Sequence, residues 1–145
     1  MNSQKYQMIF PEGYVKPLLP KGKLWVAALR SGNFSQGTSF LCTSKKGQDR
    51  HCCLGVWCEV NQYPKDKNAT YPIDGFMVPG HVTLANRLPD DSSLLSNGYF
   101  PDGVSCVMGG DHSISIYSFF SLNDEFGFTF KEIADVAEEI FELGD

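Results

Sequence analysis

His51-Cys52-Cys53-Leu54-Gly55-Val56-Trp57-Cys58-Glu59-Val60 is the densest apolar run in the chain and holds three of its five cysteines. With a helical period, Cys53, Val56, Trp57 and Val60 form one stripe at i, i+3, i+4 and i+7, and Gly55 admits a close neighbouring backbone. With a period of two, Cys52, Leu54, Val56, Cys58 and Val60 make one apolar strand face, so periodicity alone leaves both types open. We read the stretch as a short buried helix entered from a strand.

Upstream, Pro20 stands at a first-turn position, Leu24, Trp25, Ala28 and Leu29 make a stripe, and Gly32 closes the segment, which predicts a helix over 21–31. Trp25 is expected in the core. Residues 38–43 have strand composition, Ser44 to Asp49 reads as a hairpin loop, and Arg50 to Cys53 as the returning partner. Residues 1–19 mix aromatics with Pro11, Gly13 and Pro17 and read as an extended arm, with Tyr6, Ile9, Phe10, Tyr14, Leu18 and Leu19 available to pack on the body.

Downstream, residues 61–103 are dense in turn signals such as Tyr63-Pro64, Pro79-Gly80 and Asn97-Gly98, and form a long irregular insert with short apolar pieces at 76–78 and 81–85. At the other end, Thr129-Phe130-Lys131-Glu132 is a capping box. Phe130, Ile133, Val136, Ala137, Ile140 and Phe141 form the inner stripe behind it, predicting a helix over 130–143 whose Lys131, Asp135, Glu138, Glu139 and Glu142 face water. The expectation is therefore an α+β fold in one compact domain over 1–145, with a few helices packed on a small antiparallel β-sheet.

Length and composition agree. A chain of 145 residues, 42% hydrophobic, is large enough to fold around one core, and it lacks an apolar run of the roughly 20 residues that span a bilayer. Met1 to Phe10 has no basic end followed by a long apolar core, which argues against a secretory leader. Five cysteines, two of them adjacent, suit reduced thiols in a cytosolic compartment. Net charge is -5, but residues 1–60 carry eight Lys or Arg against three acids (+5) and residues 61–145 four against fourteen (-10). Such a split is satisfied inside the fold, by head-to-tail homo-oligomer formation, or by an anionic ligand on the basic half, and it opposes general nucleic-acid binding.

Three blocks look like a family of small proteins encoded by tailed bacteriophages and prophages: Trp25 to Gly32 with Gln36-Gly37, Cys52 to Glu59, and Leu122-Asn123-Asp124 followed by Phe130 to Ala134. They cover about a third of the chain in the family's order, and the departures are Trp57, usually a smaller aliphatic residue, and the insert 61–103. The resemblance implies an accessory protein in the bacterial host cytoplasm that binds or inhibits host machinery, including defence systems. It supplies no catalytic residues.

The chemistry-bearing side chains point the same way. His51, Cys52, Cys53, Cys58, His81, Cys106 and His112 lack the paired Cys-x-x-Cys knuckles of a zinc module, so no metal site and no cofactor is expected. An apolar surround raises thiol pKa and opposes a cysteine nucleophile. The Gly109-Gly110-Asp111-His112 cluster has no Walker-type lysine, and no recognition helix can follow the last helix before Asp145, which argues against DNA reading. Two function classes lead: sequestration of a small anionic, nucleotide-derived host signal, and protein–protein inhibition of a host enzyme. A small hydrolase using Asp111-His112 or the cysteines ranks below them, and no catalytic residue is assigned. For the first class the ligand-binding candidates are Arg30 as a bidentate anchor, with Ser31 and Gln36 nearby, Asn123 and Asp124 for ribose hydroxyls or base edges, and Trp57 for stacking. The competing role for Arg30 is to cap its helix and pair with Asp124.

Overall fold

The chain between Cys53 and Val60 is a helix (α2), entered from a strand, and its N-terminal cap explains why. Cys52 is extended and its Sγ accepts the Gly55 N–H at 3.4 Å, while Asn61 closes the far end by donating its N–H and Nδ2–H to Trp57 O. Every residue from His51 to Cys58 is buried, so both candidate stripes were apolar and neither period could discriminate. The computed structural model describes residues 5–38, 42–45, 48–62, 98–109 and 114–145.

The predicted first helix is α1 (Gly22–Ser31), ended by Gly32 at φ 79°, a backbone angle that favours glycine. Its Trp25 is fully buried and donates Nε1–H to Cys53 O at 2.9 Å, tying α1 to the first turn of α2. The last helix, α4 (Phe130–Ile140), carries the expected capping box, with Thr129 Oγ1 accepting from Glu132 N at 3.2 Å and Glu132 Oε1 accepting from Thr129 N at 2.9 Å. It stops short of the expected residue 143. Phe141 turns extended to bury its ring, and the next amides donate to the arm, Glu142 N to Pro17 O and Gly144 N to Leu19 O. A six-residue helix, α3 (Phe119–Asp124), is capped by Ser118. α1 packs on α4 and α2, and α3 packs on α2 and α4.

The arm is more regular than its sequence suggests. Tyr6–Ile9 is a strand (β1) and Leu18–Leu19 a second (β2). β1 runs antiparallel to Ser105–Met108 (β6), which pairs antiparallel with Ser115–Ile116 (β7). β2 lies parallel to Glu142–Leu143 (β8). A third sheet joins Ser35–Gln36 (β3), Cys42–Lys45 (β4) and Gln48–His51 (β5) in the order β3-β5-β4. The expected hairpin is present but shifted toward its turn: Ser44 and Asp49, read as loop, are paired in the β4–β5 ladder, the described β4 strand starts at Cys42, and the return strand ends at His51, since Cys52 and Cys53, expected in it, form the cap and first residue of α2. Residues 39–41, at the expected strand's start, lie outside the described residues, as do the apolar pieces 76–78 and 81–85. The fold class is α+β, with four helices and small, mostly antiparallel sheets among the described residues.

The core is aromatic at its centre. Phe119 meets Trp25 edge-on at 5.5 Å and Phe100 at 4.8 Å, and stacks on Phe141 at 6.1 Å. Phe100 belongs to the stretch read as irregular insert, yet it is buried and its N–H donates to Tyr117 O. No helix among the described residues is long and apolar enough to cross a membrane.

Candidate functional site

The six candidate side chains fall into three separate places. Gln36, Asn123 and Asp124 come together where β3 and the end of α3 meet the start of α2. There the Asn123 Oδ1 accepts from Gln36 Nε2 at 2.9 Å and from Cys53 N at 3.2 Å. Its Nδ2 donates to Gly37 O and to Asp124 Oδ1, both at 2.8 Å, and Gln36 Nε2 also donates to Phe128 O at 2.8 Å. Asn123 is 2% exposed, so this cluster is an internal polar clasp that satisfies an orphan amide at the α2 start and fixes residues 36, 37, 53 and 128 to α3.

Arg30 lies elsewhere, in the last turn of α1. Its pairing with Asp124 is not found, because the α1–α4 packing sets it beside Asp135 at 2.6 Å and Glu138 instead. Hydrogen bonding to Glu138 and Asp135 raises the Arg30 pKa, and the same bond from Arg30 lowers that of Glu138. Ser31 is beside it but faces its own helix end, donating Oγ–H to Ala28 O at 2.7 Å and accepting from Asn33 N at 3.0 Å. Trp57 is 4% exposed, edge-on to Trp25 at 5.8 Å, and its Nε1 has no hydrogen-bond partner among the described residues.

The cysteines weighed for chemistry are held away from it. Cys42, Cys52, Cys53, Cys58 and Cys106 are buried thiols. Burial pushes Cys52 and Cys106 up to about 12 and holds Cys53 and Cys58 well above the ordinary thiol range. At neutral pH each of these four stays protonated and is a poor nucleophile or metal ligand. Among the described residues no group of three or more His, Cys, Asp or Glu is placed to hold a metal ion. His51, on β5, sits 3.7 Å from Glu59 on α2 with Phe34 edge-on at 5.3 Å. His81, Asp111 and His112 lie outside the described residues.

Two features had no clear signal in the sequence. One is Tyr6, whose hydroxyl donates to Glu139 at 3.5 Å; burial, then the charge of Glu139, raises the Tyr6 pKa, and burial raises that of Glu139. The other is a shallow open groove lined by Val15, Lys16, Glu138, Phe141, Glu142 and Leu143, between the arm and the chain beyond α4. Val15, 82% exposed, stands among prolines with no periodic pattern to mark it.

Geometry thus defines a class: a small α+β domain whose recognisable polar motifs are consumed in holding helices together. Residues 21–141 match the family described as Domain of unknown function (DUF8296), and the chain belongs to that family. β1, β2 and β8 lie outside the matched stretch. No curated protein and no solved structure is significantly similar to the chain.

Proposed function

We propose that this protein is a non-catalytic accessory binding protein, of the bacteriophage type its sequence blocks resemble, which acts in the bacterial host cytoplasm by docking on a host protein and inhibiting it. The supporting observation is the internal use of its polar candidates: Arg30 is held by two carboxylates of α4, and Gln36, Asn123 and Asp124 bond to one another and to backbone. A small-ligand site needs such groups turned toward a cavity, whereas a docking protein needs only a rigid body and an accessible face. The buried, protonated thiols speak against a hydrolase that uses the cysteines.

The second reading, sequestration of a small anionic nucleotide-derived signal that would counteract host defence, draws on the +5 balance of residues 1–60 and on Arg50, exposed on β5. Thermal melting with a protein-free nucleotide extract of host cells separates the two. Docking on a protein predicts an unmoved melting temperature and co-migration with a host protein on size exclusion, which also reports any homo-oligomer. Stabilisation that grows with ligand excess overturns it in favour of sequestration.

A further inference from the structure

We propose that the arm is an exchangeable strap: two copies of this chain trade residues 5–19 about a hinge at Pro20 and Lys21, giving a two-fold dimer in which each arm lies on the other copy's α4 and β6. The inference does not rest on the host-docking reading above and concerns a different partner, a second copy of the chain.

The occupant is fixed by contacts that the closed chain already makes. At the head of the arm the Lys5 ammonium pairs with Glu132 at 3.2 Å and sits 4.3 Å over the Phe128 ring, while Gly109 N donates to Lys5 O at 2.8 Å. Tyr6 packs its ring on Phe128 at 5.3 Å, and β1 runs in register with β6, from Tyr6 opposite Met108 to Ile9 opposite Ser105. Further on, the Tyr14 hydroxyl donates to Ile140 O at 2.7 Å, Lys16 Nζ donates to Glu138 O at 2.9 Å, and β2 pairs with β8. Within the arm, Tyr14 N donates to Pro11 O at 3.1 Å and the Phe10 and Tyr14 rings meet at 4.9 Å, so most of its bonds go to the body. Such a segment takes its shape from the surface it lies on, and a second copy offers the identical surface.

Strain at the hinge favours the exchange. β2 ends at Leu19 and α1 begins at Gly22, so two residues make the connection. Pro20 has a fixed φ and holds Leu19 extended, which leaves Lys21 to absorb the demand of closure. It does so at φ 65° and ψ 14°, in the left-handed region that residues other than glycine seldom adopt. Among the described residues Gln62 is the one other non-glycine with a positive φ. A short strained hinge invites swapping, because every arm contact is remade between copies and the hinge alone is relaxed. Opening gives up one exposed bond per chain, from Lys21 N to Asp145 O. Association itself costs translational and rotational freedom, so the exchanged form grows with protein concentration.

The test refolds the full chain, as an equal mixture of unlabelled and heavy-nitrogen-labelled protein, at roughly 1 mM, where a contact between copies competes with a short flexible tether. Monomer and dimer are separated by size exclusion and treated with a carbodiimide, which condenses the Lys5 amine with the Glu132 carboxylate it already touches. In the dimer the joined Lys5 and Glu132 peptides are expected to carry mixed labels as often as random pairing of chains gives, and in the monomer a single label. Lys21→Gly accepts the left-handed angle without strain and keeps the N–H. With a hinge relieved in each of two chains, it should lower the dimer association constant about tenfold or more. Absence of a dimer, a dimer whose Lys5–Glu132 pairs all carry one label, or an association constant unchanged in Lys21→Gly overturns the proposal. Each of these outcomes leaves the host-docking reading where it stands.

Discussion

Asn123 uses its full hydrogen-bonding capacity inside the fold, two donors and two acceptors, and so behaves as a cross-link between α3, the β3 region and α2. Asn123→Ala leaves the buried Cys53 N–H without an acceptor and should cost about 2 to 3 kcal/mol. A urea midpoint shift at unchanged slope reads this directly, and an unshifted midpoint would remove the clasp from the account. The thiols make a second prediction, in pH. Cys52 and Cys106 are pushed from about 9 up to about 12, and Tyr6 is raised as well, so the native state holds protons that the unfolded chain has already released. Their contribution is fully present below about pH 9 and is lost as pH rises toward about 12, so the urea midpoint should fall across that window and fall less steeply in Cys106→Ala. In the native protein at neutral pH the thiols should resist a disulfide exchange reagent until denaturant is added.

Between elements, the contact of α1 with α4 is apolar inside and ionic at its rim. Arg30→Lys keeps the charge but loses the planar guanidinium whose single Nη2 reaches both Asp135 and Glu138, and because Arg30 and both carboxylates are partly exposed the loss should stay within about 1 kcal/mol. Glu138, lowered first by that bond, adds stability above the ordinary carboxylate range that disappears as pH falls, so Arg30→Lys should matter least in acid. The start of α4 depends on a different device. Thr129→Ala removes the acceptor for Glu132 N and should cost about 1 kcal/mol, visible as a lower melting temperature with native circular dichroism below the transition.

For the molecule as a whole, residues 144–145 are tied to the start of α1. Lys21 there is left-handed (φ 65°) and offers no side-chain cap; instead Lys21 N donates to Asp145 O and Lys23 N to Gly144 O. Gly22 lies so close to Leu143 that an added Cβ would stand 2.8 Å from its Cδ2. Deleting residues 142–145 removes these two acceptors and the β2–β8 ladder, and should cost about 2 to 4 kcal/mol at roughly 1 kcal/mol or less per exposed hydrogen bond. Equal melting temperatures of full and shortened chains would show that the ribbon contributes nothing to the body's stability.

The amino-acid sequence by itself determined α1, α4 and the burial of residues 51–58, because an amphipathic stripe, a capping box and a terminating glycine are written within a dozen neighbouring residues. It also singled out Arg30, Gln36, Asn123 and Asp124 as notable polar residues. Tertiary structure decided their partners. Arg30 meets α4 and not Asp124, since which carboxylate lies beside a helix end depends on how two helices pack and not on residue type. The short strands were illegible for the same reason: β2 and β8 are two residues each, lie more than a hundred residues apart in the chain and exist only through each other's backbone. Only the folded chain brings the two strands together.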